Sequence, residues 1–208
     1  MTHVLTLTQW LSPAFPVGAF AYSHGLEQVI ADGTVSDAGS LQDWLAGLLT
    51  HGSARADAVL LACAYTGDPA DIDAHARAFA ASAERLKETD LQGAAFCDTA
   101  NAVWQLDLPR FSYPVAVGAA ARAMDIPLAH TLPLYLHAFA SNLISVAQRA
   151  LPMGQTQGQQ VLAALTPVIT ATASACETAT LDNLFATSFA ADIAAMRHET
   201  LQPRIFRT

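Results

Sequence analysis

Side chains that could bind a metal or transfer protons are scattered along the sequence. The seven histidines lie at positions 3, 24, 51, 75, 130, 137 and 198 of the 208 residues. His130 and His137 are seven residues apart and would share a helix face, but metal ligands on one helix usually lie four residues apart. His198 stands between Arg197 and Glu199 and could bind a metal, although ion pairs within a polar tail are the more common outcome. A small all-α metal-binding protein or enzyme that uses these three histidines is therefore one hypothesis.

The motifs of the common enzyme classes do not occur in the sequence. The single lysine, Lys87, lies far from any glycine-rich loop, and there is no Walker motif, G-x-G-x-x-G, H-E-x-x-H or G-x-S-x-G. The cysteines, Cys63, Cys97 and Cys176, have no metal-ligand spacing and indicate reduced thiols in the core of a cytosolic protein. No nucleophile–base pair stands out, so we predict a non-enzyme without a resident metal or cofactor.

The net charge argues against nucleic acid as a partner, and the N-terminal residues indicate a cytoplasmic location. The formal net charge is −8, whereas nucleic-acid binding requires a basic face. The N-terminus has neither the basic start nor the long apolar run of a signal peptide, so we predict a cytoplasmic protein. Residues 126–147 carry no formal charge and are long enough to cross a bilayer. Their prolines, histidines and asparagine favour a buried central helix over a membrane span.

Apolar periodicity and helix-breaking residues predict an all-α fold. The predicted helices cover roughly 19–31, 40–51 with a continuation to 65, 70–82, 84–106, a segment from 114, a long helix ending near 150, another ending near 174, and 178–196. Asp68 is expected to cap a helix that has Pro69 in its first turn. Arg85 and Glu88 are expected to form an ordinary surface ion pair. Because no linker divides the chain, residues 1–208 should form a single domain of about nine or ten helices, a helical bundle.

Two regions indicate contacts with other proteins. Between Asp125 and Glu177 the only charged residue is Arg149, so this region should supply both the central layer of the domain and a subunit interface. The C-terminal tail, residues 197–208, is basic and follows an acidic body. A short basic segment without helical periodicity is typical of a tail that docks on a partner.

The densest group of special residues is LSPAFPVGAFAYSHGLEQVI, the N-terminal motif at 11–30. Pro13 and Pro16 stiffen the chain, and Gly18 permits an unusual backbone angle or a close approach. Gly25 is predicted to lie within the first helix, where it costs about 0.5–1 kcal/mol relative to alanine. Another element should therefore pack against Gly25. Helix packing, a partner-binding site and, least favoured, a catalytic site would each explain this motif.

The N-terminal motif resembles the signature of the urease accessory protein F (UreF) family, SP-x-x-PVG-x-F-x-YS-x-GLE. Four further blocks resemble family segments in the same order: SAERLKETDLQG, YPVAVGAAA, AQRALPMGQTQGQQVLAAL and DIAAMRHETLQPRIFRT. The resemblance covers the chain from about Leu5 to Thr208. The departures are mild, with Ala19 where a second glycine is common, and Ile205 and Thr208 where leucine and serine are usual.

The resemblance implies an all-α, non-catalytic maturation protein that forms a homodimer. It implies that the protein bridges UreD (UreH in some systems) and the GTPase UreG on apo-urease, to which nickel is delivered. It also implies that the tail becomes ordered when UreD binds and that the ordered surface recruits UreG. Carried over residue by residue, partner-binding roles fall to two groups: Arg204, Phe206 and Arg207 in the tail, and Tyr22, Ser23, His24 and Glu27 on the neighbouring N-terminal surface. The absence of a histidine-rich tract argues against a nickel store.

Overall fold

Helices account for all of the regular structure in the computed structural model, which describes residues 1–208. Ten α-helices follow one another along the chain: α1 Thr2–Trp10, α2 Leu26–Ala31, α3 Ala38–His51, α4 Ser53–Thr66, α5 Pro69–Ala78, α6 Ala83–Trp104, α7 Tyr113–Ala123, α8 Leu128–Ala150, α9 Gln155–Cys176 and α10 Phe189–His198. Short 3₁₀ turns lie at Ala19–Ala21 and Leu181–Asn183, and there is no strand. The prediction of a single all-α domain is confirmed.

Local signals explain where several helices begin. The Asp37 carboxylate accepts the N–H of Ser40 in a capping box at the start of α3. Asp68 accepts the N–H of Ala70, and Pro69 occupies the first position of α5, as the sequence predicts. The Ser82 hydroxyl accepts the N–H of Arg85 at the start of α6.

The apolar α4 lies at the centre of the domain, where it packs against α3, α5, α7, α8 and α9. It contributes to one continuous core of 51 buried residues. Gly118 permits the close approach of α7, because a Cβ at this position would lie 2.4 Å from the carbonyl oxygen of Leu61 in α4. A single central helix thus organises the bundle that supports both chain termini.

Helix α8, in which Arg149 is the only charged residue, is buried on one side only. Leu132, Leu136 and Leu143 are completely buried, whereas His130 and His137 are exposed. No helix combines the length and the hydropathy that crossing a bilayer requires. One side of α8 therefore forms the core, and the other remains available at the surface.

Three boundary predictions are wrong. Thr2–Trp10 forms a helix that the sequence reading leaves out, and α4 is a separate helix after Gly52 rather than a continuation of α3. The predicted helix 19–31 is interrupted because His24 and Gly25 have φ values of 53° and 76°, in the left-handed region. Gly25 therefore precedes α2 instead of lying inside a helix.

The predicted helix 178–196 is also wrong. Its first part is the 3₁₀ turn Leu181–Asn183, in which the side chain of Asn183 accepts the N–H of Thr180. Further along, the N–H groups of Thr187 and Ser188 donate to the carbonyl of His51 at the end of α3. These contacts replace helical hydrogen bonds and delay the start of α10 until Phe189.

Candidate partner-binding site

The C-terminal tail lies against the N-terminal motif of the same chain. The N–H of Arg207 donates to the carbonyl of Ala21 over 2.7 Å, and the N–H of Ser23 donates to the Thr208 carbonyl oxygen over 2.8 Å. The Ser23 hydroxyl donates to the same Thr208 oxygen. The two segments therefore pair through the backbone, although about 185 residues of sequence separate them.

Glu27 is the main acceptor for the tail. One carboxylate oxygen accepts the N–H of Ile205 at 2.6 Å, and the other accepts the N–H of Phe206 at 3.0 Å. The second oxygen also lies 2.9 Å from Nε2 of His198, at the end of α10. Because Glu27 is buried, these donors replace the water that an ionised carboxylate would otherwise bind.

Phe206 supplies the apolar contact of the tail. Its side chain is buried, and the guanidinium of Arg149 lies 4.4 Å from the centre of its ring. Arg149 also donates a 2.9 Å hydrogen bond to the carbonyl of Phe20. A cation–π contact and a hydrogen bond thus join the tail, α8 and the N-terminal motif.

Two arginines of the tail, Arg204 and Arg207, lie at the protein surface. Arg204 forms an ion pair with Glu84 in the first turn of α6 while staying partly exposed. Arg207 is exposed and lies beside Tyr22, whose pKa is raised chiefly by burial, an effect that the nearby guanidinium partly offsets. Ile205 is 70% exposed between them. The outer edge of the tail therefore presents an apolar side chain flanked by two cations.

A buried charge cluster lies beneath the tail and contains Arg85 and Glu88. The expectation of a surface ion pair is wrong here, because these side chains are only 11% and 1% exposed. Glu88 contacts Arg85 at 2.5 Å, His24 at 2.8 Å and the Thr208 hydroxyl at 2.9 Å. The loop that contains His24 and the end of the tail close over this part of α6, which explains why it is not exposed.

For Glu88 and Asp57, burial raises the pKa and the neighbouring positive charges lower it. Burial opposes ionisation of Glu88, but the Arg85 guanidinium and His24 outweigh it and lower the pKa of Glu88 to about 2. For Asp57 in α4, burial prevails and raises the pKa, despite Arg85 and a 3.1 Å hydrogen bond donated by the Tyr135 hydroxyl. Glu88 is therefore a stable anion, whereas the ionised form of Asp57 is disfavoured.

The glycines and prolines of the N-terminal motif shape this region. Gly25 lies directly against α10, where an added Cβ would be 2.7 Å from the backbone nitrogen of Ala195. Gly18, with φ of 71°, precedes the 3₁₀ turn and has open space around it. Pro13 and Pro16 are exposed on a loop that directs the intervening Phe15 into the core. The sequence leaves three explanations of this motif open: helix packing, a partner-binding site and a catalytic site. Helix packing is observed at Gly25.

Two cavities adjoin the buried charge cluster. One, of about 380 Å³, lies between α1, the N-terminal motif and α8, and the other, of about 410 Å³, lies between α4, α5 and the segment before α10. Asp57, Arg85 and Thr89 line both cavities. Each charged side chain of the cluster already has a partner within the protein, but two buried ring nitrogens that line the first cavity, Nδ1 of His24 and Nε1 of Trp10, have none.

The histidines considered as metal ligands do not come together. His130 and His137 are exposed on α8, and both ring nitrogens of His198 already face carboxylates. No group of three or more histidine, cysteine, aspartate or glutamate side chains is arranged to hold a metal ion. The ion pairs expected of the polar tail are present instead, with Arg197 bound to Asp32.

The structure brings all seven expected partner-binding residues into one region. Tyr22, Ser23, Glu27 and Phe206 are nevertheless buried beneath or within the tail, so they do not form the exposed surface expected from the sequence. Three side chains that hold the tail were not predicted from the sequence: Glu84, Glu88 and Arg149. The contacts of Thr208, at the end of the tail, were not predicted either. The one sequence signal that could have identified Glu84 and Glu88 is their spacing of one helical turn, which places both on the same helix face. This spacing is equally typical of a helix face exposed to solvent.

The amino-acid sequence is similar to a known protein family and to several of its members. The UreF family model matches residues 35–166. The chain is 57% identical over 207 residues to the urease accessory protein UreF of Roseobacter denitrificans, covering 98% of this chain and 93% of that protein. It is 59% identical over 208 residues to the UreF of a Ruegeria species, with 98% and 97% covered. It is also 53% identical over 206 residues to the UreF of Cereibacter sphaeroides, with 99% and 98% covered. The alignments with these relatives cover nearly the whole chain, whereas the match to the family model lies between the N-terminal motif and the tail.

Proposed function

Because the chain belongs to the UreF family of urease accessory proteins, we propose that it is a non-catalytic scaffold for urease maturation. In this role it bridges UreD, or UreH, and the GTPase UreG on apo-urease, assists nickel insertion and tunes GTP hydrolysis by UreG. The observation that carries the proposal is the composite surface formed where the tail lies on the N-terminal motif. Arg204, Ile205 and Arg207 are exposed along its outer edge.

We assign the UreD or UreH contact to α10 and the segment before it. Phe189, Ile193 and Met196 form a stripe along α10 and are 68%, 54% and 52% exposed, and Phe185 adjoins them at 43%. Apolar side chains grouped in this way are typical of an interface rather than of a free surface. Since α10 leads directly into the tail, a partner bound on α10 would also influence the tail.

UreG is then assigned to the arginine-bearing edge of the tail. Arg204 and Arg207 can each donate charge-assisted hydrogen bonds to carboxylates of a partner. Ile205 adds an apolar contact between them. Tyr22, Ser23, His24 and Glu27 contribute indirectly in this scheme, because they hold the tail in the conformation that presents these groups.

The two contacts can be separated in a pull-down with purified UreD and UreG. Arg204→Ala combined with Arg207→Ala should abolish retention of UreG and leave UreD bound. Arg110→Ala is the matched control, because Arg110 is also an exposed arginine in an ion pair, on the loop after α6. Ile193→Asp should abolish retention of UreD, whereas Leu91→Asp on α6 should not. Retention of both partners by the double arginine variant would contradict the assignment of UreG.

An effect on GTP hydrolysis can arise from recruitment or from direct action. If Arg207 acts only in recruitment, saturating Arg207→Ala protein should restore the wild-type rate of GTP turnover by UreG. If Arg207 reaches the transferred phosphate as an arginine finger, the rate at saturation should stay about 10³–10⁵-fold lower. We expect the first result, since Arg207 lies beside Tyr22 and its backbone N–H is held by the carbonyl of Ala21.

We propose that the chain also forms a homodimer through the uncharged side of α8 together with α1. Met1, Val4 and Leu5 are exposed on α1, which packs against α8, and the exposed part of α8 between residues 128 and 148 carries no formal charge. Sedimentation of Leu5→Asp should reveal a monomer where the parent chain is a dimer. Val103→Asp, an exposed position on α6, should leave the dimer intact, and a dimeric Leu5→Asp protein would exclude α1 from the interface.

A further inference from the structure

We propose that His198 is a protonation-dependent latch that holds the C-terminal tail when its ring is positively charged and weakens its hold when the ring is neutral. His198 is the last residue of α10 and is completely buried. This inference deepens the proposed function, because the tail is the segment assigned to UreG. Its test needs only the isolated chain.

The geometry of the His198 ring requires two N–H donors. Nε2 lies 2.9 Å from an oxygen of Glu27, and Nδ1 lies 2.9 Å from an oxygen of Glu84. A neutral imidazole has one N–H and one lone pair, whereas an ionised carboxylate only accepts hydrogen bonds. Both contacts are favourable at once only for the doubly protonated, cationic ring.

The two carboxylates cannot supply the missing proton without losing contacts of the tail. Glu27 already accepts the N–H groups of Ile205 and Phe206, and Glu84 accepts the guanidinium of Arg204 and forms an ion pair with it. These contacts occupy the carboxylate oxygens of both acids as acceptors. With His198 cationic, two cations and two anions balance at this position.

The other charged groups around this contact have partners of their own. On and beside α10, Arg197 pairs with Asp32, and Glu199 accepts the N–H of Ala83; deeper in α6, Glu88 pairs with Arg85 and His24. Asp192, on the preceding turns of α10, has its pKa raised by burial, which disfavours its charged form. The charge of the His198 ring is thus balanced by Glu27 and Glu84.

Loss of the proton from His198 acts directly on the tail. A neutral ring leaves Glu27 or Glu84 facing a lone pair, and a buried carboxylate without its donor is costly. The cost is relieved when the tail moves away and water reaches the carboxylates. The direction is therefore fixed: the tail is held at lower pH, where the ring carries both protons, and opens as pH rises and the ring loses one of them.

Amide hydrogen exchange of the full chain tests the latch. The N–H groups of Ile205 and Phe206 donate to Glu27, so their protection reports the docked tail. After correction for the intrinsic pH dependence of exchange, their protection should fall by up to about tenfold per pH unit above the transition. In His198→Gln this slope should vanish, and in His137→Gln, which alters an exposed histidine on α8, it should persist.

Two results would overturn the proposal. One is protection that does not change with pH in the parent chain; the other is an unchanged slope in His198→Gln. If that variant does not fold, nitrogen NMR of the parent chain decides the question, because both ring nitrogens of His198 should carry hydrogen at the low-pH end. A ring with one bare nitrogen under those conditions would refute the latch. The pull-down experiments with UreD and UreG are independent of each of these outcomes.

Discussion

Replacement of Gly25 by alanine is expected to push α10 away from α2 and to loosen the C-terminal tail. Gly25 has φ of 76°, and an added Cβ would lie 2.7 Å from the backbone nitrogen of Ala195 and 3.0 Å from the backbone carbon of Ala194. Neither atom belongs to a flexible side chain. The clash can therefore be relieved only by a shift of one of the two helices.

The magnitude follows from two separate costs. A non-glycine residue in the left-handed region costs about 1–2 kcal/mol, and overpacking of a well-packed contact costs about 1–3 kcal/mol. The free energy of unfolding should therefore fall by about 2–5 kcal/mol. Gly18 provides the matched control, because its φ of 71° is similar but no atom lies within 4 Å of an added Cβ. Gly18→Ala should carry the backbone cost alone, about 1–2 kcal/mol.

Urea denaturation measures the free energy of unfolding of both variants. Limited digestion with trypsin, which cleaves after Arg204, measures how readily the tail becomes exposed. We expect the Gly25→Ala chain to be the less stable of the two and to be cleaved faster in the tail. The Gly18→Ala chain should be cleaved at the parent rate. Equal destabilisation by the two substitutions, with equal cleavage, would refute the view that Gly25 is required for the contact with α10.

Three further predictions concern other buried side chains. Asp57→Asn should raise the free energy of unfolding at pH 7, because burial raises the pKa of Asp57 and disfavours its charged form above its ordinary pKa. Urea denaturation checks this, with the exposed Asp43→Asn as the neutral control. The pKa of Glu88, lowered to about 2 from 4.5, adds stability above pH 4.5 that is lost as pH falls toward 2. Acid denaturation should therefore be shallower in Glu88→Gln over that range, and identical slopes would contradict the assignment. Phe206→Ala should open the tail while the far-ultraviolet circular dichroism of the helices is retained, since only the cation–π contact and the burial of one ring are lost.

The sequence predicts those parts of the fold that depend on local signals. Asp68 and Pro69 define the start of α5, since a capping carboxylate and a proline act within a single turn. The interruption before α2 is harder to foresee, because His24 has φ of 53°, a conformation that is uncommon for non-glycine residues and needs other contacts to stabilise it. Its contact with Glu88 is such a contact, and it joins residues far apart in the sequence.

The sequence resemblance groups seven residues that lie together in the structure, but it predicts neither their exposure nor the other side chains that hold the tail. Residues that resemble a family signature can be identified one by one, and all seven come together in the structure. Which of them face solvent depends on how the tail crosses the N-terminal motif. Arg85 and Glu88 illustrate the same limit, because their spacing is identical in a solvated ion pair and in a buried one, and only the closure of the tail distinguishes the two.

The distance in sequence between the tail and its contacts has a consequence for biosynthesis. Glu27 receives donors that lie 171 to 179 residues further along the chain, and the Arg204 contact of Glu84 spans 120 residues. During translation the tail therefore emerges after every helix on which it packs. Until then the N-terminal motif lacks its closing segment, and the surface assigned to UreG does not exist. If the tail surface binds UreG as proposed, a chain that ends before the tail should fail to retain UreG even when all ten helices are present.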